Sequence, residues 1–185
     1  MNIKGKKVTL RAIENEDLEL LREMLNDTEM EKFVVGWSFP VSKIQQQNWY
    51  LNAKNDNSNQ RYIIETEEDG AVGLVTLTEI DWKNRTASHG IKLAKKDRRT
   101  KGIGTDAVMA IMRYAFNELG LHRLEGGWFD ENMASKALYT KCGWKVEGIR
   151  RECVYKGGMF RDLSYAGILA SDYYSLIEKN QYWSD

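Results

Sequence analysis

A turn rich in glycine and basic residues, Arg-Thr-Lys-Gly-Ile-Gly at positions 99–104, has the composition of an anion-binding site. Gly102 and Gly104 would let the backbone approach a ligand closely. A helix that begins near Ile103 would direct its first unpaired amides toward the same point. Five basic side chains and a single acid occupy positions 95–101, so we expect an anion that carries several charges. A polyphosphate cofactor fits this description.

Two simple interpretations of this turn are open from its own residues. It could be a plain strand-to-helix turn with solvated charges, because glycine turns are common. Gly102, Gly104 and Ala107 also match the dinucleotide fingerprint G-x-G-x-x-G/A, with the acid Glu125 roughly 20 residues further on. The charged loop before the glycines argues against a dinucleotide, because in that fold the glycines directly follow a buried strand. The phosphate-loop pattern G-x-x-x-x-G-K-[ST] does not occur in the chain.

A second group of polar residues lies on the next predicted helix. Asn132 opens this helix as a candidate cap, and Gly143 follows its end. Tyr139 lies seven residues after Asn132, so both side chains project from one helical face. A cap alone would explain Asn132 and half-buried packing would explain Tyr139. A contact between the Asn132 side chain and a ligand is compatible with capping.

The elements that position these residues follow from hydrophobic periodicity and from turn residues. The first strand precedes two helices and three further strands, and the glycine-rich turn then leads into a strongly amphipathic helix. A strand, a short helix, a hairpin turning at Gly157-Gly158 and a last helix complete the chain. We predict strands at 8–11, 62–66, 72–79, 86–94, 123–128, 145–155 and 160–169, and helices at about 17–25, 42–55, 103–118, 132–141 and 172–179. This order predicts a mixed α/β sheet with helices on both faces.

Length and charge limit the classes of function. The 185 residues suit one domain spanning 1–185, and 27 basic residues balance 27 acidic ones, which argues against nucleic-acid or anionic-membrane partners. The chain lacks an apolar segment of bilayer length, and we expect a cytoplasmic protein. Cys142 and Cys153 show no metal-ligand spacing with His89 or His122, so we expect reduced cysteines and no metal.

Both polar groups resemble signatures of the GNAT superfamily of N-acetyltransferases. Arg99-x-x-Gly102-x-Gly104 is similar to its acyl-CoA-binding signature, and residues 131–144, Glu-Asn-Met-Ala-Ser-Lys-Ala-Leu-Tyr-Thr-Lys-Cys-Gly-Trp, resemble its second signature. The resemblance implies an α/β (α+β) fold with a mixed, mostly antiparallel central sheet flanked by helices on both faces. It also implies transfer of an acetyl group from acetyl-CoA to a primary amine by direct attack, without a metal.

The resemblance assigns roles to individual residues. Backbone groups at 92–94 would pair with the pantetheine arm, the turn and first helical amides would hold the pyrophosphate, and Asn132 and Ser135 would contact the arm. The implied cofactor-binding residues are Lys92, Leu93, Ala94, Arg99, Lys101, Gly102, Ile103, Gly104, Thr105, Asn132 and Ser135. The resemblance makes Tyr139 the acid that protonates the departing thiolate.

The sequence identifies the base and the acceptor contacts less directly than it identifies the cofactor-binding residues. His89, on the strand before the turn, is a candidate base because imidazole titrates near neutral pH. Glu79 is its rival, and packing of His89 beside Trp82 or Tyr139 is the non-catalytic alternative. In the superfamily, the region that corresponds to residues 36–40 walls the acceptor pocket, so the resemblance implies that Trp37 and Phe39 contact the acceptor.

The resemblance leaves the acceptor open. Residues 143–152 and 156–162 are similar to the branch that holds ribosomal-protein N-terminal acetyltransferases and spermidine acetyltransferases. Thr76 and His89, however, each stand where the spermidine enzymes tend to carry a glutamate. The acceptor could therefore be a protein N-terminus, a polyamine or another small amine, and the oligomeric state is undetermined. A non-catalytic acyl-CoA-binding or sensing module is the alternative function.

Overall fold

The protein has one eight-stranded sheet in the computed structural model, which describes residues 1–36, 39–53, 56–94 and 102–184. The strands lie in the order β1-β2-β3-β4-β5-β6-β8-β7. Their bounds are β1 Ile3–Lys4, β2 Thr9–Arg11, β3 Gln60–Thr66, β4 Gly70–Asp81, β5 Thr86–Leu93, β6 Arg123–Phe129, β7 Lys145–Lys156 and β8 Met159–Leu169. All neighbouring strands pair antiparallel except β5 and β6, which pair parallel. The predicted mixed, mostly antiparallel sheet is confirmed.

Helices cover both faces of the sheet. Their bounds are α1 Leu18–Asn26, α2 Thr28–Glu31, α3 Lys43–Ala53, α4 Ile103–Arg113, α5 Met133–Lys141 and α6 Ala170–Asn180. One apolar cluster joins Leu21, Met24 and Met30 of α1 and α2 to Ile63 of β3. The larger cluster packs α4, α5 and α6 on the other face of the sheet. The two layers therefore separate α1–α3 from α4–α6.

Helix α4 is the most buried helix and the one that follows the glycine-rich turn. Nine of its eleven residues are buried, because it lies between the sheet, α5 and the residues before β2. The predicted helix at 103–118 is α-helical only to Arg113 and continues as a π-helical turn, Tyr114–Glu118. Gly120, with a φ of 65°, ends this segment. In the described part of the chain, no helix is long and apolar enough to span a membrane.

Asp106 anchors the first turn of α4 to distant parts of the chain. Its carboxylate accepts hydrogen bonds from the backbone amides of residues 6, 7 and 8 at 3.0, 2.6 and 3.0 Å. It also accepts one from the Tyr182 hydroxyl at 2.9 Å. A Cβ on Gly5 would lie 2.3 Å from Asp106 Oδ2, so the close approach requires glycine. Since only 2% of Asp106 is exposed, these bonds replace the water that its charge would otherwise need.

Candidate active site

The sheet opens between β5 and β6. The parallel pairing joins Thr86–Ser88 to Arg123–Glu125. Beyond it β5 continues to Leu93 and β6 to Phe129, and these described residues form no further pairs with each other. Backbone donors and acceptors along this edge of β5 are therefore free to pair with an extended ligand as an added strand.

The start of α4 lies beside the end of β5. Gly102 has a φ of 79° and precedes the helix, and the Asp106 amide donates the first helical hydrogen bond to the Gly102 carbonyl. The amides of Ile103, Gly104 and Thr105 precede that bond and point out of the helix end. A Cβ on Gly104 would contact Leu93 Cδ1 at 3.6 Å. This arrangement fits a diphosphate next to a chain paired with β5; Arg99 and Lys101 lie outside the described residues.

Tyr139 and His89 meet in the core behind the opening. The Tyr139 hydroxyl lies 3.0 Å from His89 Nδ1, and the two residues are 6% and 7% exposed. The Trp128 ring stacks on Tyr139 with centroids 5.2 Å apart and planes 6° apart. The Trp144 ring packs edge-on to Tyr139 at 4.9 Å. Three elements, β5, β6 and α5, together with Trp144 just before β7, therefore enclose one phenol.

Both members of this pair are uncharged at neutral pH. Burial lowers the pKa of His89 to about 3, and burial raises the pKa of Tyr139 above its ordinary value. The tautomer with a proton on Nδ1 makes the Tyr139 oxygen an acceptor and leaves the phenol proton available to a third group. Within the described residues, His89 Nε2 and Trp128 Nε1 are buried without a hydrogen-bond partner.

Asn132 caps the helix that carries Tyr139. Its side-chain oxygen accepts a hydrogen bond from the Ser135 amide at 3.1 Å, which satisfies one of the first amides of α5. The Asn132 side-chain NH₂ keeps two donors for another contact. The predicted helix is confirmed, and its cap and Tyr139 lie on one face, as their spacing indicates.

Glu79 lies on the opposite face of the sheet from His89. It sits in a bulge of β4 with a φ of 52°, and its carboxylate accepts a hydrogen bond from Ser88 Oγ at 3.0 Å. Ser88 and His89 are consecutive strand residues, so their side chains point to opposite faces. The two candidate bases are therefore separated by the sheet, with Glu79 exposed and His89 buried.

The candidate acceptor contact Phe39 lies at the surface. It is 67% exposed and borders a shallow pocket between α1 and the start of α3, with Arg22 and Gln45 among the lining residues. Trp37 falls outside the described residues. Phe39 does not meet Tyr139 or His89 in this structure.

The sequence does not predict a buried lysine that lies near the sheet opening. Lys156 is 8% exposed, and its Nζ lies 2.7 Å from Glu31 Oε1 and donates to the Val34 carbonyl. Its Nζ also lies 6.0 Å from the centroid of the buried Phe129 ring, at the end of β6. The sequence marks Lys156 only as the residue before the Gly157-Gly158 turn, and no local signal places that turn against α2.

The cysteines are free, and the surroundings of Cys142 do not favour a nucleophile. Cys142 is buried and Cys153 is exposed. Burial raises the pKa of the Cys142 thiol to about 12, so the thiol is protonated at neutral pH. In the described ranges, no group of three or more His, Cys, Asp or Glu side chains is placed to hold a metal ion.

The chain is similar to known acetyltransferases along most of its length. Residues 7–145 match the model of the acetyltransferase (GNAT) domain. The chain is 31% identical to the probable N-acetyltransferase YjcK of Bacillus subtilis, over 92% of this chain and 98% of that protein. It is 30% identical to the putative ribosomal N-acetyltransferase YdaF of Bacillus subtilis, over 90% of this chain and 93% of that protein.

A solved structure shares the architecture along nearly the whole chain. The Vibrio cholerae spermidine N-acetyltransferase in complex with CoA and spermine superposes with a TM-score of 0.85 at 27% identity. The match covers 91% of this chain and 98% of that one.

Proposed function

The chain belongs to the acetyltransferase (GNAT) family, and from that premise we propose that it moves an acetyl group from acetyl-CoA directly to a primary amine with Tyr139 as the acid. The observation that carries the assignment of the acid is the enclosed phenol, hydrogen-bonded to His89 at 3.0 Å behind the opening between β5 and β6. An amine on a small molecule or at a protein N-terminus could approach this opening.

The donor side of the proposed site holds acetyl-CoA. The amides of Ile103, Gly104 and Thr105 would bind the diphosphate, with Arg99 and Lys101 supplying charge. The free edge of β5 near residues 92–94 would pair with the pantetheine arm. Asn132 and Ser135 would contact that arm from the start of α5. The support for the first contacts is the start of α4 beside Leu93 of β5, and the support for Asn132 is its side-chain NH₂, which capping leaves available.

Proton supply to the leaving sulfur is the proposed task of Tyr139. The amine nitrogen attacks the thioester carbon, the carbon–sulfur bond breaks, and sulfur leaves with the bonding pair and takes the phenol proton. Unperturbed thiols and phenols have pKa values of roughly 8.5 and 10, so the two groups are matched. Burial raises the pKa of both kinds of group, as Tyr139 and Cys142 show in this chain.

We assign His89 to positioning and Glu79 to proton acceptance. His89 is neutral and contacts the phenol, so it orients Tyr139 without taking a proton from the amine. A primary amine with a pKa of roughly 10 arrives mostly protonated and needs a base. Glu79 is exposed on the face opposite Tyr139 and held by Ser88, so it could accept that proton through water.

The test measures thiol release with acetyl-CoA and a panel of amines that includes spermidine, amino acids and peptides. We expect release that depends on a particular amine. Tyr139→Phe should lower kcat about a hundredfold, the effect of losing a general acid, and should leave the affinity for acetyl-CoA unchanged. Tyr173→Phe is the control, because Tyr173 is another buried, hydrogen-bonded tyrosine and lies away from the opening.

The same measurements separate enzyme from sensor. Binding of CoA with no thiol release for any amine would support the non-catalytic acyl-CoA-binding module instead. An unchanged kcat in Tyr139→Phe would remove Tyr139 as the acid. We place the reaction in the cytoplasm, since Cys142 and Cys153 are both free thiols.

A further inference from the structure

Lys92 places an ammonium group on the face of β5 toward α1–α3, which we call the acceptor side because Glu79, the proposed base, lies there. Leu93 packs against the start of α4, so the neighbouring Lys92 side chain lies on the opposite face, toward α1–α3. Its partner across the sheet, Leu74, belongs to the apolar cluster of α1 and α2. That position excludes the Lys92 side chain from the diphosphate region at α4. It faces the side from which the amine would approach.

Lys156 brings a second positive charge toward this region from another part of the chain. The hairpin of β7 and β8 carries Lys156 to Glu31 on α2, with the Phe129 ring beside it. Phe129 is the last residue of β6, which forms one side of the sheet opening. Lys156 therefore reaches the acceptor side of that opening from the hairpin of β7 and β8, whereas Lys92 reaches it from β5.

The charges here do not cancel. Lys156 pairs with Glu31, and the structure shows no ion pair or hydrogen bond for the Lys92 ammonium among the described residues. Lys92, Lys156 and Glu31 together carry one net positive charge. Lys92 is half-buried, and burial and then the Lys156 charge both lower its pKa. An unpaired charge in such surroundings costs free energy that one bound anion would offset.

The adjoining sequence does not suit a polycation. Between Glu31 and Asp56 the chain has three lysines and no aspartate or glutamate. Glu31, at the start of this stretch, is already paired with Lys156. Recognition of a molecule with several ammonium groups would need several carboxylates. Glu29 and Glu19, on α2 and α1, are engaged by Lys32 and Lys43 of the same stretch.

We propose that the acceptor is a small amino acid-type molecule, with a carboxylate beside the primary amine, and that Lys92 binds the carboxylate. The proposal rests on the proposed function and specifies its acceptor. One carboxylate would neutralise the remaining charge, and the amine would then lie on the same side of β5 as Glu79.

The experiment compares amino acids with their carboxamides, which differ only in that charge, and includes spermidine. The wild type should use the carboxylates with at least tenfold higher kcat/KM than the amides. Lys92→Met keeps the aliphatic stem and removes the ammonium, so it should raise KM for the carboxylate about tenfold and bring the carboxylate-to-amide ratio near one. An unchanged thermal unfolding midpoint shows that the variant is folded.

Lys179→Met on α6 is the matched control and should behave as wild type. Equal use of carboxylate and amide by the wild type, or spermidine as the preferred acceptor, would overturn the proposal and leave amine acetylation intact. An unchanged ratio in Lys92→Met would show that Lys92 only packs through its stem, and would overturn its assigned role. Failure of all amines to release thiol would reject the proposed function itself.

Discussion

The two faces of β5 differ in burial and in polarity. Its odd-numbered residues face the apolar layer of α4 and α5, where His89 and Tyr139 are buried and uncharged. Its even-numbered residues face α1–α3 with a serine, a glycine and the half-buried Lys92. The first face is enclosed, which suits a donor molecule that is the same for every acceptor. The second is polar and charged, which suits discrimination among acceptors.

Because the two faces differ in this way, substitutions on them should have different effects. A substitution on the α4 side should affect acetyl-CoA binding or the acid for every amine. A substitution on the α1–α3 side should change how the amine is used and leave the binding of acetyl-CoA unchanged.

The largest effect is expected at the start of α4. Gly102→Val places a β-branched residue at a φ of 79°, which such residues rarely adopt, and covers the helix amides. We expect the acetyl-CoA Kd to rise about a hundredfold, as loss of a few hydrogen bonds to a charged group would cause. Calorimetric titration measures it.

Gly70→Val is the control for backbone strain. Gly70 has a φ of 65° in the turn between β3 and β4, with open space around it. Gly70→Val should lower the stability of the fold and leave the acetyl-CoA Kd unchanged. Equal loss of acetyl-CoA binding in both variants would show that backbone strain explains the effect of Gly102→Val. Loss of the helix amides that bind the diphosphate would then not be needed to explain it.

The next effect is a pH dependence of stability at His89. Its folded pKa is about 3 and its unfolded value is 6.5, so the unfolded chain binds the proton first as pH falls. The stabilisation is full above pH 6.5 and is lost progressively as pH falls toward 3. His89→Gln, which does not titrate, should lose about 2 kcal/mol less than the wild type between pH 7 and pH 5.

Denaturant titrations at both pH values measure this difference. His122→Gln is the control for loss of an imidazole, because His122 is exposed. Parallel curves for the wild type and His89→Gln would mean that His89 is not enclosed as a neutral group, and the contrast between the two faces would weaken.

The smallest effect is expected on the acceptor face. Glu79→Gln should lower kcat/KM for the amine about tenfold near neutral pH, at the low end for loss of a general base, and leave the acetyl-CoA Kd unchanged. The deficit should shrink at high pH, where the amine is already deprotonated. A pH–rate profile checks this, with the exposed Glu67→Gln as control. A deficit that is constant with pH would assign Glu79 a structural role.

Local patterns were sufficient for most of the fold. The helix at 132–141 was predictable because a cap, a spacing of seven and a final glycine all lie within a few residues of one another. The hairpin at Gly157-Gly158 followed from its turn pair in the same way. The four-residue α2 was missed, since a helix so short has no periodicity to detect. The π-helical end of α4 also had no signal in the apolar spacing.

The site was predictable only where it depends on local sequence. Tyr139 and the start of α4 were placed correctly on their elements, but the contact between Tyr139 and His89 joins residues fifty positions apart. Trp144, from another part of the chain, packs against the His89 ring, and Trp128 stacks on Tyr139. Lys156 meets Glu31 across an even longer separation. Such contacts depend on tertiary packing, which no short pattern encodes.

The contacts of Asp106 bear on how early a growing chain can complete the start of α4. The residues that donate to its carboxylate lie at 6–8, made long before α4, and at 182, made long after it. While a ribosome is still extending the chain, the buried carboxylate lacks the Tyr182 hydroxyl. The helix start that we assign to the diphosphate thus gains this last hydrogen-bond donor only after residue 182 has been made.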